Sequence, residues 1–223
     1  MEFSFCLFLF NGIGGAFHAY DLVGASPVAL VAFDISKAAC RVTSRRWPHA
    51  VVLGDVRRID RKMVHGWLLR YPHVEQVDFW AGFPCTDLNS VKANRLHLQG
   101  SESGLFSEVL RVLELLLQVF GRNFPIYYFI ENVASMDRAA AQEISEALGV
   151  RPYRVQSSDA VPMSRPRYCW SNCALPLLPG VHLEDKGFFV EVRAMAEYPK
   201  VSQLHVRTPG GNQRMRLPYS LLV

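Results

Sequence analysis

The 223-residue chain lacks the marks of several protein classes. Its five cysteines (Cys6, Cys40, Cys85, Cys169 and Cys173) are odd in number, widely spread and never paired as CxxC. That argues against a disulfide scaffold or a zinc module, predicts no metal site, and favours a reducing compartment. No apolar run approaches the ~20 residues of a membrane span, because the stretch 105–120 is interrupted by Glu108, Arg111, Glu114 and Gln118. The opening MEFSFCLFLF has neither a basic leading region nor a small-residue cleavage site, and it breaks at Asn11-Gly12. It reads as a first strand rather than a signal peptide, and no membrane partner is expected. Charge is not lopsided: 24 Lys and Arg against 20 Asp and Glu leave +4, which permits a polyanionic partner without demanding one. What the chain does have is core volume. Half its residues are hydrophobic, with 14 Phe, 8 Tyr and 4 Trp, enough to exclude a disordered chain and to build one domain with a small second lobe.

Short apolar runs alternate with helical patterns, which predicts an α/β fold with a mostly parallel sheet. Strands are expected at 3–10, 28–33, 50–53, 76–81, 126–130 and 153–156, and helices at 14–22, 36–46, 60–70, 104–120 and 136–148. The helix at 104–120 carries a broad apolar stripe of Leu105, Val109, Val112, Leu113, Leu116 and Phe120. Ser135 and Gly149 are expected to cap the 136–148 helix. Beyond Trp170 prolines and glycines increase, Gly187–Val192 looks β-like, and Lys200, Arg207, Arg214 and Arg216 surround Pro209-Gly210-Gly211. A boundary near 171 divides a unit of 1–170 from one of 171–223.

Four places could carry chemistry. Phe10-Asn11-Gly12-Ile13-Gly14-Gly15 lies between a strand and a helix, where glycines let backbone approach a ligand or simply make a tight turn. A dinucleotide fingerprint would need a glycine at Phe17, so a nicotinamide enzyme is disfavoured. Asp34, ending the second strand, can accept from ribose hydroxyls or cap the next helix, and Asp55 after the third strand has the same two readings. Gly82-Phe83-Pro84-Cys85 sets a thiol on a stiffened loop after the fourth strand; a lone cysteine is otherwise a small buried hydrophobe. Glu131-Asn132-Val133 follows the apolar strand IYYFI, so burial is expected to raise the Glu131 pKa toward that of a neutral-pH acid, the alternative being a helix cap. Arg165 and Arg167, in SRPRYCW, share one face of an extended segment and can hold a base carbonyl or a phosphate, or stand as a surface pair.

In this order and spacing the motifs resemble the cytosine-5 DNA methyltransferase family, from about Phe3 to Trp170. The wording GDVRRID, PCTDLNSVKANR and ENVASM is most similar to its de novo branch. The resemblance implies a Rossmann-like S-adenosylmethionine-dependent methyltransferase fold with a partial C-terminal lobe. It implies that Phe10, Gly12, Gly14 and Gly15 hold the S-adenosylmethionine cofactor, with Asp34 on its ribose, Ile35 against its adenine, and Asp55 and Val56 at the adenine edge. Cys85 matches the nucleophile, Glu131 the acid gripping the target cytosine, and Arg165 and Arg167 the pair around the base carbonyl. Residues 86–102 match a mobile catalytic loop, and 171–223 the start of a target-recognition region.

The implied partner is DNA, with homo- or hetero-oligomers also expected, and the implied location is nuclear in a eukaryote and cytoplasmic otherwise. The family's frequent glutamine before the arginine pair is replaced by Met163, and its closing C-terminal motifs have no match. The chain is therefore expected to stop inside the recognition region, to leave the apolar surface around Phe5, Leu7 and Leu9 less covered, and to bind cofactor weakly. Two rival functions are a non-catalytic homologue that binds DNA or a partner, and a tRNA cytosine-5 methyltransferase, whose Cys-Phe-Thr signature is not seen.

Overall fold

A computed structural model describes residues 3–84, 105–159, 164–174, 181–194, 204–208 and 211–215. Five strands alternate with helices: β1 (Ser4–Leu9), α1 (Gly15–Leu22), β2 (Ala29–Phe33), α2 (Lys37–Arg46), β3 (Val51–Leu53), α3 (Arg61–Arg70), β4 (Gln76–Ala81), α4 (Phe106–Val119), β5 (Ile126–Val133) and α5 (Arg138–Leu148). Next come β6 (Tyr153–Gln156), β7 (Pro166–Ser171), β8 (Val181–Asp185), β9 (Val190–Ala194), β10 (Leu204–Thr208) and β11 (Gly211–Met215). Nine strands form one sheet in the order β3-β2-β1-β4-β5-β7-β6-β9-β8. Strands β1 to β5 are mutually parallel, and β7 lies antiparallel between β5 and β6. The β8–β9 hairpin, from beyond residue 171, attaches through β9 to β6, while β10 and β11 pair only with each other. Among the described residues no helix is long and apolar enough to cross a membrane.

Central β1 is buried on both faces, so its alternation carries no polar signal. Phe5, Leu7 and Leu9 point into the main core with Phe79, Val109, Leu116 and Phe120, and at 0–2 % exposure they are fully covered. This corrects the expectation that their surface is less covered. Cys6 and Phe8 face the other way, under α1, with Phe17, Tyr20 and Trp47. The open part of the sheet lies further along that second face, where Tyr127 is exposed and Trp80 and Phe129 are half-buried.

A buried polar cluster crosses the second face. The Asp78 carboxylate accepts from Tyr20 Oη (3.0 Å), Gln76 Nε2 (2.9 Å) and the Cys6 thiol, and Trp80 Nε1 donates to Tyr20 Oη at 3.0 Å. These bonds offset the desolvation of a carboxylate only 7 % exposed. Burial pushes the Cys6 thiol and the Tyr20 phenol well up, so both keep their protons and donate.

Helix starts follow capping chemistry. Ser36 accepts from Ala39 N, Asp60 from Met63 N and Asp137 from Ala140 N. Asp137, not the expected Ser135, caps α5, because buried Met136 belongs to the turn leaving β5. Gly149 ends that helix at φ +68°.

In the turn after β1, Gly14 is the glycine whose side-chain space is taken. At φ +89° a Cβ would lie 2.4 Å from the Trp47 ring, whereas Gly15 meets nothing and already has helical backbone. Gly14→Ala should destabilise the protein by roughly 2–4 kcal/mol, and Gly15→Ala should be neutral or stabilising by up to about 1 kcal/mol. Urea denaturation checks the pair; equal effects would show that Trp47 does not set the loop.

Candidate active site

The site lies above the carboxyl ends of β1, β2, β3, β4 and β5. Sheet order places β2 on one side of β1 and β4 on the other, so the chain leaves β1 and β4 in diverging directions and opens a crevice. The turn after β1 is tied down: Asn11 N donates to Phe33 O and Gly14 N to Asn11 O. Phe10 has φ +56°, a left-handed conformation that costs a non-glycine residue about 1 kcal/mol. Its ring stands between two clefts and lines both.

The first cleft, about 270 Å³, is walled by Phe10, Asp34, Ile35, Asp55, Val56, Pro84 and Leu105. Asp34 Oδ2 accepts from Gly12 N and Oδ1 from Ser36 N, both at 2.8 Å, so the carboxylate locks the glycine turn to the entrance of α2 while Ser36 is the cap. Each oxygen keeps a second lone pair. Ile35 is 76 % exposed, an apolar wall of the cleft. Asp55 accepts from Arg57 N (3.0 Å), Nε (3.0 Å) and Nη2 (2.7 Å), and these bonds hold its carboxyl below the usual range.

The second cleft, about 450 Å³, is lined by Phe8, Phe10, Gly15, Trp80, Gly82, Phe129, Glu131 and Arg165. Strand β5 continues through Val133, which corrects the expectation that it ends before Glu131. Glu131 therefore projects from the strand, opposite Cys169 of β7. It is 35 % exposed and forms an ion pair with Arg167 Nε. The expected burial of this carboxylate is not found: it stays part-exposed at the cleft, paired with the guanidinium that the neighbouring antiparallel strand β7 brings to it. A Cβ on Gly82 would lie 3.3 Å from Glu131 Oε2, so the carboxylate rests over the start of the Gly82-Phe83-Pro84 turn. Arg165 N is held by Gln156 Oε1 at 3.0 Å, and its side chain borders the same cleft as Glu131.

Cys85, Met163 and the 86–102 loop lie outside the described residues, as do Pro209 and Gly210. Of the other cysteines, burial pushes Cys169 up to about 12 and also raises Cys6 and Cys40, so these three are thiols, not nucleophiles, at neutral pH.

Three supporting residues escaped the reading of the sequence. Buried Asn132 donates from Nδ2 to Phe83 O (3.0 Å) and accepts from Val133 N (2.7 Å), fastening the turn that precedes Cys85 to β5. Arg111 of α4 donates to Ile59 O (2.6 Å) and Val56 O (3.2 Å) and pairs with Glu108, supporting the turn that carries Val56. Arg57 clasps Asp55. Only the Asn within the ENV motif gave a signal in the sequence.

A parallel five-strand sheet with β7 inserted antiparallel and two clefts at its carboxyl edge is the Rossmann-like fold of S-adenosylmethionine-dependent methyltransferases. The Asp34 carboxylate, the exposed Ile35 with Asp55 and Val56, and the glycine turn suit in that order the cofactor's ribose, adenine and methionine ends. The chain belongs to the C-5 cytosine-specific DNA methylase family, whose model matches residues 6–156. It is 33 % identical over 107 residues, 48 % of this chain, to the type II methyltransferase M.CviJI of a Paramecium bursaria Chlorella virus, of which the match covers 26 %. Its fold is similar to a DNMT2 variant from Spodoptera frugiperda (TM-score 0.58, 18 % identity, 85 % of this chain and 55 % of that one). It is also similar to a prophage-encoded protein from E. coli described as a DNA modification methyltransferase (0.59, 17 %, 90 % and 53 %) and to S. pombe Dnmt2 (0.56, 22 %, 78 % and 53 %). The chain spans about half the length of these structures.

If Asn132 holds the Phe83 carbonyl, Asn132→Ala should lower stability by about 1–3 kcal/mol, the scale of an unsatisfied buried group. Chemical denaturation measures it; a change within experimental error would show that the turn is held by other contacts.

Proposed function

We propose that this chain is the catalytic core of a cytosine-5 methyltransferase that modifies a nucleic acid, with DNA as the first substrate. The observation that carries the reading is that Glu131 and Arg165 border one cleft, with Arg167 paired to Glu131, above the turn that leads into Cys85. Residues 1–170 would be the cofactor-binding and catalytic unit, and 171–223 part of a target-recognition region. The family description and the type II relative support DNA. Within the family, the motif wording supports the de novo branch. A second reading, tRNA as substrate, would use the same residues in the same covalent chemistry.

Residue types follow from the chemistry. Carbon 5 of cytosine is too weak a nucleophile to accept a methyl group unaided. The Cys85 thiolate would add to carbon 6 while Glu131, in its protonated form, donates a hydrogen bond or its proton to ring nitrogen 3, making carbon 5 an enamine carbon. When bound, S-adenosylmethionine supplies an electrophilic methyl on sulfur. Arg167 keeps Glu131 oriented and, with Arg165, would hold the base carbonyl. Loss of the carbon 5 proton and expulsion of Cys85 would then leave 5-methylcytosine. The base must leave its stack first, at a cost of a few kcal/mol. In the first cleft Asp34, Ile35, Asp55 and Val56 would hold the nucleoside, and Gly12, Gly14 and Gly15 would let the backbone approach the methionine end.

Two measurements test this reading. Asp34→Ala should weaken S-adenosylmethionine binding by about 1.5–3 kcal/mol in calorimetry, the scale of a charged hydrogen bond; equal affinity would reduce Asp34 to a structural tie. A 5-fluorocytosine substrate, offered as DNA and as tRNA, should trap a covalent adduct at Cys85 that Cys85→Ser abolishes. An adduct at Cys6 or Cys169 would move the chemistry elsewhere, and none with either substrate would favour the non-catalytic homologue.

A further inference from the structure

The modest net charge conceals a strong segregation. Residues 35–74 carry nine Lys and Arg against two Asp, a surplus of seven, whereas the rest of the chain carries fifteen against eighteen. This segment is α2, β3, the turn after it and α3, so the surplus sits at the β3 end of the sheet. All nine cations are exposed. Both acids are already engaged: Asp55 with Arg57, and Asp60 as the cap of α3. Among the described residues, Lys37, Arg41 and Arg45 on α2, Arg58 in the turn before α3, and Arg61 and Lys62 at the start of α3 form no ion pair with a carboxylate.

We infer that this end of the molecule is a docking surface for the phosphodiester backbone of duplex DNA, extending the contact well beyond the target base; the inference rests on the proposed nucleic-acid substrate. Lys37, Arg41 and Arg45 recur every four residues, so they form one row about 12 Å long, a span that passes about three phosphates of one strand. Lys37 comes soon after the carboxyl end of β2, and Arg58, Arg61 and Lys62 come in the turn and helix start that follow β3, on the same sheet edge as the clefts. From β3 to β5, which carries Glu131, is four strand spacings, about 19 Å, or roughly six base pairs of duplex. A protein partner would look for an apolar centre, but the apolar sides of α2 and α3 are committed to the core through Ala39, Val64 and Trp67. Of their large apolar side chains Val42 and Leu69 are the exposed ones, one on each helix, too little for an amphipathic face on a bilayer. Seven of the nine cations are arginines, suited to bidentate phosphate contacts.

The test neutralises each row separately, as Lys37→Gln/Arg41→Gln/Arg45→Gln and as Arg58→Gln/Arg61→Gln/Lys62→Gln. Arg122→Gln/Arg138→Gln/Arg193→Gln makes the same change of net charge elsewhere. Binding to a DNA duplex of about 24 base pairs and to tRNA is followed against salt, with S-adenosylmethionine affinity and thermal melting as checks on the fold. Each row variant should bind the duplex on the order of tenfold to a hundredfold more weakly, with a salt slope shallower by about 2 to 3. The control should stay near the parent, and cofactor affinity should not change. A loss confined to tRNA, with DNA binding at the parent's level, would overturn DNA as the occupant of the surface. Row variants with the parent's affinity and slope, or a control that loses as much, would overturn the docking surface while leaving the proposed function intact. A parent that binds neither polymer would overturn both.

Discussion

Everything at the site depends on the way the chain parts on either side of β1. Because β2 pairs with one edge of β1 and β4 with the other, the turns that follow β1 and β4 cannot close on each other, and a crevice stays open between them. Asp34 and Asp55 reach it from the ends of β2 and β3, the Gly82-Phe83-Pro84 turn from the end of β4, and Glu131 from β5. A fold with this switch point elsewhere would scatter the same residues.

The second dependency is the reversed strand. β7 enters antiparallel between β5 and β6, so the amino end of β7 faces the carboxyl end of β5. Arg165 and Arg167, some 35 residues after Glu131 in sequence, are thereby delivered to it. A parallel β7 would have placed them at the far edge of the sheet. The Glu131–Arg167 pair has a further consequence: the carboxylate is oriented by a fixed cation while it remains open to a ligand.

Much of this was legible in the sequence, for identifiable reasons. Strands β1 to β6 and all five helices fall within a few residues of their expected places, because apolar runs and helical periodicity are separated by good caps. The cofactor and base motifs were legible as types in order. Three things were not. On β1 both faces are apolar, so the partition of Phe5, Leu7 and Leu9 from Cys6 and Phe8 left no trace in the alternation. The end of β5 was placed too early because Glu131 and Asn132 are polar, yet their backbone stays in the ladder and Asn132 is buried for the sake of Phe83 O. The clasp of Arg57 on Asp55 depends on a turn only two residues long, and a neighbouring arginine does not announce whether it folds back.

The account turns on covalent activation of cytosine at carbon 5, and loss of the hydrogen from that carbon reports on it directly. With nucleic acid bearing tritium at carbon 5 of cytosine and S-adenosylmethionine labelled in its methyl group, both labels can be followed in one reaction. The account predicts one tritium released to water for each methyl transferred, from DNA or from tRNA. Methyl transfer without tritium release would place the methyl on another atom and contradict it.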